Sequence, residues 1–138
     1  MKPPLQLWTY WDFVYENGTN PIAEWHKDLS DNAKNLLQEI LKTNKKTENH
    51  LNWRNLKRFL RGEADEEKIW EIEFKADKLQ YRLLGIFSPG KHATFLIGCC
   101  HKQRVYEPAD CINTAVKRSR LLKEGGAKRN ERKIRLDI

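Results

Sequence analysis

The spacing of apolar residues predicts a strand and two helices in the first third of the chain. Residues 7–15, LWTYWDFVY, are rich in aromatic and β-favouring side chains and end at an Asn-Gly turn signal, which predicts a strand. Asn20 and Pro21 pair a capping residue with a proline at the first helical position, which predicts a short helix to about Leu29. Apolar residues then recur at helical spacing: Ala33, Leu36, Leu37, Ile40 and Leu41. These residues predict a longer amphipathic helix.

The segment WRNLKRFLRG at 53–62 has the pattern of a shorter helix that Asn52 caps and Gly62 closes. On such a helix Trp53, Leu56 and Leu60 would form an apolar stripe. The remaining positions give a basic face made of Arg54, Arg58 and Arg61, with Lys57 beside it.

Three strands are predicted next, joined by turns at ADKL and SPGK into a meander. KIWEIEFK alternates, with Trp70, Ile72 and Phe74 on one face and Glu71, Glu73 and Lys75 on the other. QYRLLGIF and HATFLIGCC are continuously apolar, as expected of central strands covered on both faces. A helix follows Pro108 and ends at Gly125-Gly126, and the charged tail AKRNERKIRLDI is either a disordered arm or a late strand.

The long helix and the meander carry the largest apolar surfaces, so we expect them to pack on each other. The predicted core comprises Leu36, Leu37, Ile40 and Leu41 against Trp70, Ile72, Phe74, Leu83 or Leu84, Phe95 and Ile97. The expected fold class is therefore α+β.

Composition narrows the class of protein. With 138 residues, 39% of them hydrophobic, the chain has the size of one domain. A net charge of +7 predicts attraction to polyanions such as nucleic acid.

The N-terminal sequence has no signal-peptide pattern, and no apolar run approaches a membrane span, so we expect a cytoplasmic protein without a membrane partner. The three cysteines are read as reduced thiols.

Three short motifs in order, IWEIEF, QYRLLGIF and FLIGCCHKQ, then Pro108 and a helix containing Ala115, resemble the RelE/HigB/ParE-like toxins of type II toxin–antitoxin systems. The phage-derived HigB-type branch is the most similar. The resemblance covers about residues 8–125, which suggests a single toxin domain over 1–126 and a basic C-terminal tail over 127–138.

That resemblance implies a RelE-like microRNase fold, in which a twisted antiparallel sheet of the N-terminal strand and the meander is backed by helices. It also implies an mRNA endonuclease (mRNA interferase) that acts on the ribosome without metal or other cofactor. The implied partners are the ribosome, mRNA and a cognate antitoxin, often a helix-turn-helix protein, that covers the active face.

When the family motifs are matched to this sequence residue by residue, the resemblance implies a group of catalytic residues. Arg82 of Tyr81-Arg82 matches the arginine that contacts the scissile phosphate, Glu71 matches the acid of the first motif, and Lys102 matches one lysine of a family pair. Glu73 and Gln103 stand where the family has two further cations.

Each candidate has a chemical role and a structural alternative. Arg82 would donate charge-assisted hydrogen bonds to the phosphate oxygens, or it would form a salt bridge to Glu71 or Glu73 on the adjacent strand. Lys102 would be a second cation that stabilises the charge developing on the phosphate, or it would be an ordinary solvated lysine. His101 is a general acid or base or a structural residue, and Glu71 or Glu73 is the alternative base.

Candidate RNA-binding residues are Arg54, Lys57, Arg58, Arg61, Lys75, Arg104 and Tyr106. Tyr106 would stack on a base or donate a proton, and the basic helix face either holds phosphates or is simply solvated. No metal ligands are expected, because paired carboxylates placed with histidines are missing from the sequence pattern. Two other function classes remain open, a ParE-like toxin that inhibits gyrase without catalysis and a phage-derived binding protein without activity.

Overall fold

The structure is a computed structural model that describes residues 6–59, 61–102 and 105–135; at 101, 102 and 105–107 the description is of the backbone. The chain folds as an α+β protein whose elements are β1 (Thr9–Tyr15), α1 (Pro21–Lys27), α2 (Asp31–Lys45), β2 (Leu56–Arg58), α3 (Gly62–Glu66), β3 (Trp70–Ala76), β4 (Leu79–Ser88), β5 (His92–Lys102), β6 (Val105–Glu107), α4 (Cys111–Lys123) and β7 (Ala127–Arg132). No helix in the described ranges is both long and apolar enough to cross a bilayer.

Local sequence signals set most element boundaries. The side chains of Asn20 and Ser30 cap α1 and α2 by accepting a hydrogen bond from the backbone N–H of the third residue of each helix. Asp77 and Lys78 join β3 to β4 as a two-residue turn with φ of 53° and 66°, the left-handed conformation that a type I′ hairpin requires. The side chain of Asp77 also accepts hydrogen bonds from the Ser30 hydroxyl and the Asn32 amide, so the hairpin tip is fixed to the start of α2.

In the described part of the chain, one seven-stranded sheet has the strand order β2-β3-β4-β5-β1-β7, with β6 paired to the far end of β5. The expectation of an antiparallel sheet is wrong at one position, since β1 pairs with β5 in parallel, with Thr9 opposite His92. A parallel neighbour needs a long crossover connection, and the helices and meander between β1 and β5 provide it. The sheet is therefore mixed.

Helices cover both faces of the sheet. On one face α1 packs against β1 and β5, and α2 packs against β3. The predicted core is largely confirmed: Leu37, Ile40 and Leu41 share a cluster with Trp70, Ile72, Phe74, Leu83 and Phe95. Leu36 packs at its margin. Leu84 and Ile97 lie in a second cluster, on the face that α3 and α4 cover. The continuously apolar strands are thus central strands, as predicted.

The helix predicted over 53–62 is wrong. His50–Asn52 form a single 3₁₀ turn, and Leu56–Arg58 form an edge strand in which Leu56 lies opposite Ile72. Burial of Trp53 among Trp8 and Trp70 outweighs the helical periodicity. Arg54, Lys57, Arg58 and Arg61 therefore do not form the face of a helix.

The charged tail takes the strand alternative over Ala127–Arg132. β7 pairs antiparallel with β1, from Tyr10 opposite Arg132 to Tyr15 opposite Ala127. Residues 127–132 accordingly belong to the same sheet as the rest of the chain.

Candidate active site

Alternation along β3 and β4 places three charged side chains on the face opposite α2. Glu73 lies directly across from Arg82, and Glu71 is two residues along the same strand as Glu73. Arg82 donates from Nη1 to one carboxylate oxygen of Glu71 and one of Glu73. The salt bridge considered for Arg82 therefore forms with both acids.

Two polar residues complete this group. The Lys57 ammonium lies 3.1 Å from Oε2 of Glu73, and the Gln80 amide donates to the same oxygen at 3.0 Å. We call these five residues, Lys57, Glu71, Glu73, Gln80 and Arg82, the Arg82 cluster. The exposed fraction of the side chain is only 7% for Glu71, 13% for Glu73 and 12% for Arg82, against 65% for Lys57. Lys57 is thus the exposed member of the cluster.

The two carboxyl groups have different proton affinities. Burial, reinforced by the neighbouring Glu73, raises the pKa of Glu71 to about 7 against the opposing charge of Arg82. Burial also acts to raise the pKa of Glu73, but hydrogen bonding to Glu71 and Lys57 and the charge of Arg82 hold it below its usual value. At neutral pH Glu73 is ionised while Glu71 is near its midpoint. Oε2 of Glu71 is buried and has no hydrogen-bond partner among the described residues.

Cys99 lies across from Arg82 on β5, and it contacts Cys111, the first residue of α4. Hydrogen bonding to Cys111 and burial raise the pKa of the Cys99 thiol far above its usual value. Cys99 is therefore a buried neutral thiol rather than a nucleophile.

The remaining predicted catalytic residues are placed by backbone register alone. His101 pairs with Gln80 on β4 and with Tyr106 on β6, and Lys102 pairs with Val105. The backbone of His101 is thus two residues from Cys99, the partner of Arg82. The side chains of His101, Lys102 and Tyr106, and all of Arg104, lie outside the described part of the structure.

The predicted RNA-binding residues are dispersed. Lys57 joins the Arg82 cluster, and Lys75 is exposed at the outer end of β3. Arg54 is exposed in a turn whose backbone is held by the buried Asn44 side chain, at 2.6 Å to the Arg54 N–H. Arg61 is exposed at the start of α3, and Arg58 lines a cleft at the sheet end near the last turn of α4.

Sequence reasoning missed two features. Gln80 belongs to none of the motifs found in the sequence, and it lies beside Glu73 only because of the strand register. The cleft lined by Arg58 also includes Lys68, Lys123, Lys128 and Arg129, so its five cations come from four separate parts of the chain. No sequence spacing indicates that these cations share a surface.

The Arg82 cluster offers a buried carboxyl group that can exchange a proton near neutrality, next to a guanidinium that can hold a phosphate. Across the described ranges, no group of three or more His, Cys, Asp or Glu side chains is arranged to hold a metal ion. Comparisons with family models, with curated proteins and with solved structures gave no match to this chain.

Proposed function

We propose that this chain is a RelE/HigB-like toxin of a type II toxin–antitoxin system that cleaves mRNA on the ribosome. The observation that carries the proposal is Glu71, a buried carboxyl group with a pKa of about 7 in hydrogen-bond contact with Arg82. The element order of β1, α1, α2, the β3–β5 meander and α4 supports a microRNase-like fold, to which β2, α3 and β7 are additions. A cytoplasmic location, a cognate antitoxin and a phage-derived origin belong to the same proposal.

Cleavage begins when Glu71 takes the proton from a ribose 2′-hydroxyl. The 2′-oxygen bonds to phosphorus while the bond to the 5′-oxygen breaks, and His101 or Lys102 supplies the proton that the 5′-oxygen needs. The products are a 2′,3′-cyclic phosphate and a 5′-hydroxyl. The nucleophile belongs to the substrate, so a 2′-deoxy residue at the cut site should prevent cleavage.

Glu71 and Arg82 would act together in this step. While Glu71 is ionised it competes with the substrate phosphate for Nη1 of Arg82. Proton uptake neutralises Glu71 and weakens its hold on the guanidinium, just as negative charge builds on the phosphate oxygens. Glu73, whose pKa is held low, stays ionised and keeps Arg82 in position.

The decisive variant is Glu71→Gln, which keeps the shape of the side chain and removes the base. We expect translating ribosomes supplied with this variant to cleave mRNA about 10²- to 10⁴-fold more slowly, because a general base usually contributes a rate factor of that size. Cleavage by the natural sequence should rise with pH up to about 7, because Glu71 must be deprotonated to act.

Glu24→Gln is the matched control, since Glu24 is an exposed acid in the first turn of α1. It should cleave like the natural sequence. Full cleavage by a folded Glu71→Gln variant, or products with 5′-phosphate ends, would rule out the proposed mechanism.

A non-catalytic function is the second candidate, and one observation favours it. Arg82 is engaged by two carboxylates and is largely buried, which is also the arrangement of a structural ion pair. The protein would then be a ParE-like gyrase inhibitor or a phage-derived binding protein. Gyrase inhibition by purified protein, together with intact mRNA in the ribosome assay, would favour this candidate.

A further inference from the structure

A basic cleft lies at the end of the sheet where β4 finishes and α4 ends. It consists of two adjoining hollows of about 260 Å³ and 530 Å³ that share Ile86, Phe87 and Lys123 as lining residues. Cys111, at the start of α4, contacts Cys99 beside Arg82, whereas Lys123 closes the same helix at the cleft. The cleft and the Arg82 cluster share no residue, although Arg58 and Trp70 of the cleft are the chain neighbours of Lys57 and Glu71 in the cluster.

The charges that line the cleft are nearly all positive. Five cations line it, Arg58, Lys68, Lys123, Lys128 and Arg129, and Glu67 is the one carboxylate among the described lining residues. Lys128 also forms a pair at 4.0 Å with Glu16, which does not line the cleft. Glu67 accepts a hydrogen bond of 2.7 Å from Lys123, and this bond, with those from Ser119 and Arg120, holds its pKa below the usual value in spite of burial. The surplus of positive charge favours an anionic ligand with several charges.

Aromatic rings contribute to the same cleft. Half-buried Phe87 and His50 both line it, with ring centroids 4.7 Å apart. Trp70 also lines it, and the indole N–H of Trp70 has no hydrogen-bond partner among the described residues. Rings beside cations are the combination that binds bases and phosphates of single-stranded nucleic acid, whereas an acidic peptide would need only the cations.

We propose that this cleft binds single-stranded nucleic acid, with Lys68, Lys123 and Lys128 on successive phosphates and Phe87 against a base. This binding does not depend on cleavage at the Arg82 cluster, so either proposal can fail without the other.

The probe is a fluorescein-labelled oligodeoxyuridylate of about 12 nucleotides, long enough for one binding site. It has no 2′-hydroxyl, so the proposed cleavage cannot consume it. Fluorescence anisotropy is measured with the full chain over a series of KCl concentrations. The test variant is Lys68→Gln/Lys128→Gln, which removes one exposed cation from each of the two hollows.

The control is Lys27→Gln/Lys117→Gln, which removes two exposed cations outside the cleft and leaves the same net charge. We expect the cleft variant to bind about tenfold more weakly, and the slope of log K against log salt to become shallower by about 1.4, the value for two lost phosphate contacts on a single strand. The control variant should retain the slope of the natural sequence.

Two further ligands separate nucleic acid from other anions. An abasic strand of equal charge should bind about tenfold more weakly than the oligodeoxyuridylate, since stacking is lost. A polyglutamate peptide of equal charge should compete poorly. Equal effects of the two double variants, or equal binding of the peptide, would overturn the proposal, the second outcome indicating a site for an acidic protein segment.

Discussion

Arg132 of β7 donates two hydrogen bonds, each 2.7 Å long, to the two carboxylate oxygens of Asp12 on β1. Asp12 is 4% exposed and also accepts a hydrogen bond from Asn20, the residue that caps α1. A bidentate pair of this kind combines charge with fixed geometry. It ties the last described strand both to β1 and to the first helix.

The first prediction concerns this pair. Asp12→Ala should lower the free energy of unfolding by about 3–5 kcal/mol, because it leaves the Arg132 guanidinium without its buried counter-charge. Urea unfolding at neutral pH measures the change. Glu16→Ala is the control, since Glu16, the residue after β1, and Lys128 of β7 form an exposed pair at 4.0 Å, and its loss should cost less than about 1 kcal/mol. Equal losses from the two variants would contradict the role given to Asp12.

The second prediction is a pH dependence of stability that arises from Glu71. The pKa of Glu71 is about 7 in the folded protein and about 4.5 in the unfolded chain, so between these values the folded state holds more protons. The free energy of unfolding should therefore fall as pH rises from about 4.5 to 7, by at most about 3 kcal/mol from this group.

Glu71→Gln removes the titration and isolates this contribution. Its stability relative to the natural sequence should increase across the same pH window, as urea unfolding at several pH values would show. A difference that stays constant with pH would mean that Glu71 ionises at its ordinary pKa in the folded protein.

The third prediction concerns the stability of Arg82 variants. Arg82→Ala should destabilise the fold by about 3 kcal/mol at neutral pH, because Glu71 and Glu73 would remain largely buried without their shared cation. The triple variant Arg82→Ala/Glu71→Gln/Glu73→Gln should recover most of this loss. Thermal unfolding of the two variants checks the result, and equal destabilisation of both would show that Arg82 acts through packing rather than charge.

The fourth prediction concerns Gly98 on β5. A Cβ at this position would overlap the indole ring of Trp25, which covers Gly98 from α1. Gly98→Ala should therefore destabilise the fold by about 1–3 kcal/mol or more. In the Trp25→Leu background the same substitution should cost clearly less, which a double-mutant cycle by urea unfolding would measure.

Much of the architecture could be predicted from the sequence where local signals and burial agree. The cap at Asn20, the turns and the alternation of Trp70, Ile72 and Phe74 each determine an element by short-range chemistry. The 53–62 segment could not be predicted this way, because Trp53 is drawn into an aromatic cluster formed by residues distant in sequence. The parallel pairing of β1 with β5 likewise depends on long-range packing.

The candidate site could likewise be predicted only in part, where a short-range signal determines it. Strand alternation brings Glu71, Glu73 and Arg82 to one face, and the sequence indicated this. It did not indicate that both carboxylates bond to a single nitrogen of Arg82, which depends on rotamers, or that Lys57 approaches Glu73 from an edge strand instead of a helix.

The position of β1 between β5 and β7 also has a consequence for how the protein is made. Asp12 and Arg132 are 120 residues apart in the sequence, yet their strands are neighbours. During synthesis β1 leaves the ribosome long before either partner strand exists, so its two edges stay open until β5 and then β7 emerge. Contacts of such high sequence separation slow folding and leave strand edges exposed meanwhile. The nascent chain should therefore form its complete sheet only after translation has passed Arg132. Until then, we expect chaperones that bind exposed strand edges to bind it.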